Sequence, residues 1–228
     1  DVYKRQVIEN QRGCFMTAND YLDRLLVRYS GMFDIYQPYR IEEEEYPAYG
    51  YFFSHNEKYV LIREANLWTV DSFEHMLFDV REQITVDDIN RADRVIREYM
   101  EPVLVCKGEK MPEKNHMYSY LTFVFVVDQT PDPEVIRKVR KYKFEKGYQF
   151  NIRGYSSGRM ILVDTSSEEV YTNYQARKGK KLFRETFEDV KKGKITFSQL
   201  CEKHEITPFT QEMEKERKDQ SKGKADGV

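Results

Sequence analysis

The sequence predicts an α+β domain built on a mainly antiparallel sheet, with helices packed against it and a helical appendage at the C-terminal end. Three observations carry that class. Residues 117–127, MYSYLTFVFVV, are apolar on both faces, as in a central strand covered on two sides. Residues 46–80 and 148–172 read as strand–turn–strand runs rich in aromatic and β-branched side chains. Amphipathic stretches with cap residues stand between and around them.

In chain order, residues 17–29 form a helix. Thr17 or Asn19 caps it, Tyr21, Leu22, Leu25, Leu26 and Tyr29 face inward, and Gly31 ends it. Residues 33–41 alternate as a strand interrupted at Pro38. Glu42 to Glu45 repel one another and read as an exposed turn, with a metal site as the sharper alternative. Tyr49, Tyr51 and Phe53 share one face of a strand over 48–54, His55 to Lys58 turn, and 59–64 return. Ala65-Asn66 turn again before the alternating run 73–80, with Trp68 in the connector.

Residues 85–100 are a helix capped by Thr85, with Asp87 and Asp88 at its positive end and Ile89, Ala92, Val95, Ile96 and Tyr99 inward. Pro102 is placed just past its end, before a short strand at 103–106. Asp132-Pro133-Glu134 opens another helix running to about Lys143. Ser156-Ser157-Gly158 is read as the turn of a second hairpin, 148–155 and 159–164, followed by a short strand at 169–172 and a helix over 177–190. The resemblance of 46–100 to 148–191 raises a weak duplication.

Residues 16–194 are thus expected to form one domain, 195–217 a helical appendage and 218–228 a disordered tail. Residues 1–15 read as a non-native leader. DVYKRQ looks like a translated sequencing adapter, and the codons for 10–16 can hold a ribosome-binding sequence just upstream of an ATG, which makes Met16 the natural start in a metagenomic bacterial gene.

The abundance of aromatics, 17 Tyr and 14 Phe, favours sheet and a substantial core. No apolar run reaches the ~18 residues of a membrane span, and the stretch after Met16 is no signal peptide. Cys106 and Cys201 suit a reducing cytoplasm without a disulfide framework. A net charge of −2 hides a split: residues 16–129 carry 12 Lys+Arg against 21 Asp+Glu, and residues 130–194 carry 16 against 9. That polarity fits an anionic partner for the basic part, two parts that face each other, or simply a solvated face on each.

No Walker loop, dinucleotide fingerprint, nucleophile elbow or His-Glu-x-x-His occurs, and no cofactor or metal is expected. Cys201 and His204 stand at i, i+3 but lack two further ligands. Gly154 to Arg159 could cradle a phosphate, though the same residues are ordinary hairpin chemistry. Tyr49, Tyr51 and Phe53 with Tyr118 and Tyr120 could stack bases or could be core. Residues 195–215 resemble a helix-turn-helix, with Thr196 and Gln199 as a capping box and Thr207 capping a second helix from Pro208; Glu205 stands where the turn usually has Gly, and Gln211 where the second helix usually has an apolar anchor. A plain helical hairpin is the other reading. The candidate phosphate or nucleic-acid contacts are Lys138, Lys141, Arg153, Arg159, Lys178, Lys180 and Lys181.

The stretches YPAYGYFFSHNEKYVLIREANLW, EKNHMYSYLTFVF and FSQLCEKHEITPF resemble a family of uncharacterised bacterial proteins, a domain of unknown function. The resemblance implies one bacterial domain plus appendage and no catalytic residue or substrate. The functional expectation is a cytoplasmic, non-enzymatic binding or regulatory module with an unknown protein or anionic partner. The alternatives are a nucleic-acid-associated protein gripping phosphate through 130–194, and an enzyme without a local motif. Oligomeric state stays open.

Overall fold

The computed structural model describes residues 16–58 and 68–213. Helix α1 (Ala18–Ser30) leads to strands β1 (Asp34–Tyr36), β2 (Tyr39–Ile41), β3 (Glu44–Tyr46), β4 (Ala48–Lys58) and β5 (Trp68–Arg81). Helix α2 (Val86–Arg94) continues without a break as a π-helical segment, Val95–Val105. Then come β6 (His116–Val127), α3 (Pro133–Lys141), β7 (Glu145–Gly147), β8 (Tyr155–Asp164) and β9 (Glu169–Thr172). Helices α4 (Lys180–Lys191) and α5 (Phe197–His204) follow.

The main sheet has the order β1-β4-β5-β6-β8-β7, with β9 also on β8; β2 and β3 pair separately. The strand expected at the centre is there. β6 carries Leu121, Phe123, Phe125 and Val127 to one face and Val124 and Val126 to the other, all fully buried. α2, the π-helical segment and α3 cover the first face, and α1, α4 and α5 the second.

Most pairings are antiparallel, but the middle of the sheet is not: β5, β6 and β8 run parallel. Parallel neighbours need long crossovers, and α2 with its π-helical extension and α3 supply them on one face. The sheet is thus mostly antiparallel by pairing, as expected, with a parallel centre that was not.

Four local readings change for physical reasons. Ser156-Ser157-Gly158 is the interior of β8 rather than a turn. A Cβ on Gly158 would meet Phe144 and Tyr142 at 2.8 and 2.9 Å, so this glycine marks close packing. The hairpin expected at 148–164 is replaced by antiparallel pairing of β8 with β7 before it and with β9 after it. His55 to Lys58 continue β4, pairing with Trp68 to Asp71 of one long β5; the predicted strand at 59–64 and turn at Ala65-Asn66 lie outside the described residues.

Pro102 sits inside the π-helical segment, where a strand was expected just beyond it. The i+5 bond from Cys106 N to Glu101 O, 3.1 Å, closes the wide last turn. Finally, α5 ends at Glu205, in the left-handed region at φ 53°, and no second helix starts at Pro208. The chain there is extended, and Phe209 exchanges backbone bonds with Ile35 and Gln37 (3.0 and 3.1 Å). Helical residues resume only at Gln211.

The caps hold as predicted. Thr17, Thr85 and Thr196 each close a capping box with Asp20, Asp88 and Gln199. α1 and α4 are locked by a carboxylate that the helical periodicity did not flag. Asp189, 4% exposed, accepts from Arg24 (3.0 Å), Arg28 (2.5 Å) and Lys194 (2.6 Å).

Burial raises the Asp189 carboxyl, but the Lys194, Arg24 and Arg28 donors outweigh it and hold the group far below the usual carboxylate range. A depressed folded value means the unfolded chain binds the proton first. This stabilisation is therefore present above the ordinary Asp range near pH 4 and is lost as pH falls toward the folded value. Asp189→Asn is expected to cost about 3 kcal/mol in urea unfolding at neutral pH by leaving Arg24 buried and unpaired. The variant's stability should fall less steeply than the wild type's below about pH 4.

Candidate functional site

α2 has two unlike flanks. On the flank toward α3, Asn90, Asp93 and Arg97 meet Lys138, Lys141, Tyr142 and Lys143 around a recess of about 220 Å³. The apolar stripe of α3, Val135 and Val139, faces the core and leaves Lys138 and Lys141 neighbours one turn apart on the recess. Arg97 Nε lies 2.8 and 2.9 Å from the two Asp93 carboxylate oxygens, and the guanidinium sits 5.0 Å over the Phe144 ring. Lys138 Nζ donates to Asn90 Oδ1. Lys141 and Lys143 are exposed on the rim. Four cations thus converge with one carboxylate, and that carboxylate is engaged by Arg97. Burial, then Asp93, pushes the Tyr142 phenol up, so it remains a neutral donor.

On the other flank lies a larger recess of about 510 Å³, walled by Glu42, Glu43, Glu44, Glu98, Arg91 and Arg94 with Tyr46 and Tyr99. Its inner arginine is already engaged: Arg91 reaches Glu44 at 2.6 Å, Asp88 at 3.2 Å and Asp79 at 3.3 Å. Among the described residues no group of three or more His, Cys, Asp or Glu is placed to hold a metal, so neither Glu42–Glu45 nor Cys201 and His204 forms such a group.

The seven cations singled out from sequence are dispersed. Only Lys138 and Lys141 line the α2–α3 recess. Arg153 lies in the β7–β8 connection, its guanidinium 3.4 Å from Pro112 O. Arg159 points to the opposite face of the sheet, pairs with Glu74 at 2.9 Å and stacks 3.4 Å over Tyr120. Lys178, Lys180 and Lys181 stand before and in the first turn of α4. Burial, then the neighbouring Arg184 and Arg140 charges, lowers the Lys180 ammonium. Arg97, Lys143 and Arg140 were not singled out. Arg97 was hidden by averaging charge over an acidic stretch, although its place on the α2 periodicity was readable.

The aromatic set also divides. Tyr49 and Tyr51 lie on the α2 face beside His75, at 6.2 and 5.4 Å between ring centroids. Tyr118 and Tyr120 lie on the other face with Tyr155 and Arg159.

Beneath the π-helical segment is a buried polar network. Glu101, 4% exposed, accepts from Cys106 Sγ (3.1 Å), Lys146 Nζ (2.8 Å) and Tyr148 Oη (2.9 Å), and Tyr148 Oη lies 2.7 Å from Ser156 Oγ. Burial raises the Glu101 carboxyl, but these donors outweigh it and keep the group below its usual range. Burial, then Glu101, pushes the Cys106 thiol up to about 11. Burial lowers His75 to about 3 and His116 below its usual value. Charged Glu101, protonated Cys106 and neutral imidazoles make a set of hydrogen-bonding groups, with no thiolate among them.

The fold is thus a mixed α and β domain, a sheet between two helical layers with a cation-lined recess beside the crossover helices. The chain belongs to the family described as Domain of unknown function (DUF8052), which matches residues 17–185 and so ends within α4. No curated protein and no solved structure matches it. No helix among the described residues is long and apolar enough to cross a membrane.

The Cys106 environment is checked by thiol titration. The native chain should leave Cys106 unmodified near neutral pH, so Cys106→Ser should not change the native count of reactive thiols. After unfolding, the wild type should titrate one thiol more than the variant.

Proposed function

We propose that this domain is a binding module for an anionic, phosphoryl-bearing ligand held in the recess between α2 and α3. The observation that carries the reading is the convergence of Arg97, Lys138, Lys141 and Lys143 on one recess with a single carboxylate. Charge-assisted bonds from ammonium and guanidinium groups favour a compact dianion such as a phosphate ester. Cys106 and Cys201, both free, suit a reducing compartment such as the cytoplasm.

Nucleic acid is the second reading, favoured by one further observation. Arg140 lies 5.4 Å over Tyr171 and Arg177 lies 3.5 Å over Tyr174, beside Lys178 and Lys180. A polyanion could therefore run along α3 from the recess to the start of α4. Arg153 and Arg159 lie off that track.

Calorimetric titration with pyrophosphate, and fluorescence titration with short single-stranded and duplex DNA, separates the two readings. Pyrophosphate binding should weaken about tenfold or more in Lys141→Glu/Lys143→Glu, with unfolding temperature unchanged because both side chains are exposed. DNA binding, if it is the function, should fall roughly ten- to a hundredfold between low and moderate salt. Silence of both ligands at low salt removes the anion reading, and wild-type affinity in the double variant moves it away from this recess.

A further inference from the structure

The connection between β7 and β8 shows the opposite of what a loop normally does with apolar side chains. Gln149, Phe150 and Asn151 stand consecutively in the left-handed region, at φ 48°, 54° and 67°. That conformation is unfavourable for each residue carrying a Cβ. It is held by bonds from Ile152 N to Gln149 O (3.0 Å), Arg153 N to Tyr148 O (3.2 Å) and Gly154 N to Asn151 O (3.1 Å). Its base is anchored in the interior. Tyr148 is bonded to Glu101 and Ser156, and Gly154, at φ 75°, packs so closely on Met117 that a Cβ would lie 1.9 Å from the Met117 carbonyl oxygen.

This well-tied loop buries neither of its large apolar tips: Phe150 is 102% exposed and Ile152 is 82% exposed. Among the described residues they are the two most exposed large apolar side chains, and Met117, 40% exposed, lies against the base of the loop at Gly154. Single exposed apolar residues need no explanation, but a pair presented by a strained, tied loop does.

Charge decides what such a tip fits. The neighbouring connection, residues 106–115, touches the loop through Arg153 and Pro112, and through His116 Nδ1 and Arg153 O at 3.0 Å. It carries Lys107, Lys110 and Lys114 against Glu109 and Glu113, with Lys107 paired to Glu113. Arg153 adds a further cation, so the two connections together carry four cations against two carboxylates, with Asp71 joined to them at Asn115 O (3.0 Å).

We propose that this end of the domain docks on the surface of an anionic lipid bilayer, with Phe150 and Ile152 entering the headgroup boundary and Lys110, Lys114 and Arg153 at the level of the lipid phosphates. A protruding pair of apolar side chains needs no matching pocket in a bilayer, as it would in a protein partner, and flanking cations add attraction to anionic headgroups. The inference goes beyond the α2–α3 recess and does not depend on it.

Co-sedimentation of the full chain with vesicles of phosphatidylcholine alone, or with about 30 mol % phosphatidylserine, tests it. The chain should sediment with the anionic vesicles, and Phe150→Ser/Ile152→Ser should reduce that binding at least about tenfold. The variant's unfolding temperature should not fall, since neither side chain is buried. Lys110→Glu/Lys114→Glu should reduce binding and remove most of its salt sensitivity. Absence of binding to anionic vesicles at low salt overturns the proposal. So does equal binding by wild type and the Phe150/Ile152 variant, or concentration-dependent self-association through these residues without vesicle binding. Pyrophosphate titration of the same variant separates this failure from failure of the recess.

Discussion

The two-sided burial of β6 is the constraint from which the remaining architecture follows. A strand with no solvated face must bond its backbone to neighbours on both edges and be covered by helices above and below. Its neighbours β5 and β8 run parallel to it, so the chain must return across the sheet twice. Both returns use the same face, which sets α2 beside α3 and creates the recess between them. Its cations come from the π-helical segment and from α3 with the residues just after it, stretches distant in sequence and adjacent only because of that topology.

The π-helical segment has a second structural role. Its wide turn places the Glu101 carboxylate in the interior, where Lys146, Cys106 and Tyr148 reach it. An ionised carboxylate is costly to bury unless its donors are in place. These donors come from β7, from the residue just after the segment, and from the base of the β7–β8 loop. The network thus ties the end of one crossover to the start of the next strand. The exposed loop at 149–154 can hold an unfavourable backbone because Tyr148 and Gly154 are fixed on either side of it.

Local chemistry was legible where a local rule decides the outcome. Thr17, Thr85 and Thr196 start their helices because a hydroxyl there satisfies an otherwise unpaired N–H, whatever the fold. The unbroken apolar run of β6 announced its burial. The same rules failed where packing overrides propensity. Ser156-Ser157-Gly158 has turn composition, yet Tyr142 and Phe144 crowd Gly158 and keep it in a strand. Pro102 has the position of a helix stop, yet a π-helical turn accommodates it. Of the candidate site, Lys138 and Lys141 were readable as a basic helix face, while Arg97 and Lys143 gained meaning only by being opposite them.

By itself the sequence determined the helix starts, the central strand, the family resemblance and the charge split, because each depends on neighbours within a few turns or on composition alone. Tertiary structure decided strand direction, the division of the tyrosines between two faces, the dispersal of the basic residues and the burial of Asp189 among Arg24, Arg28 and Lys194. The physical reason is common to all four. Which face a side chain meets, and which charge stands opposite it, depends on contacts between segments far apart in the chain, and no local period encodes the partner.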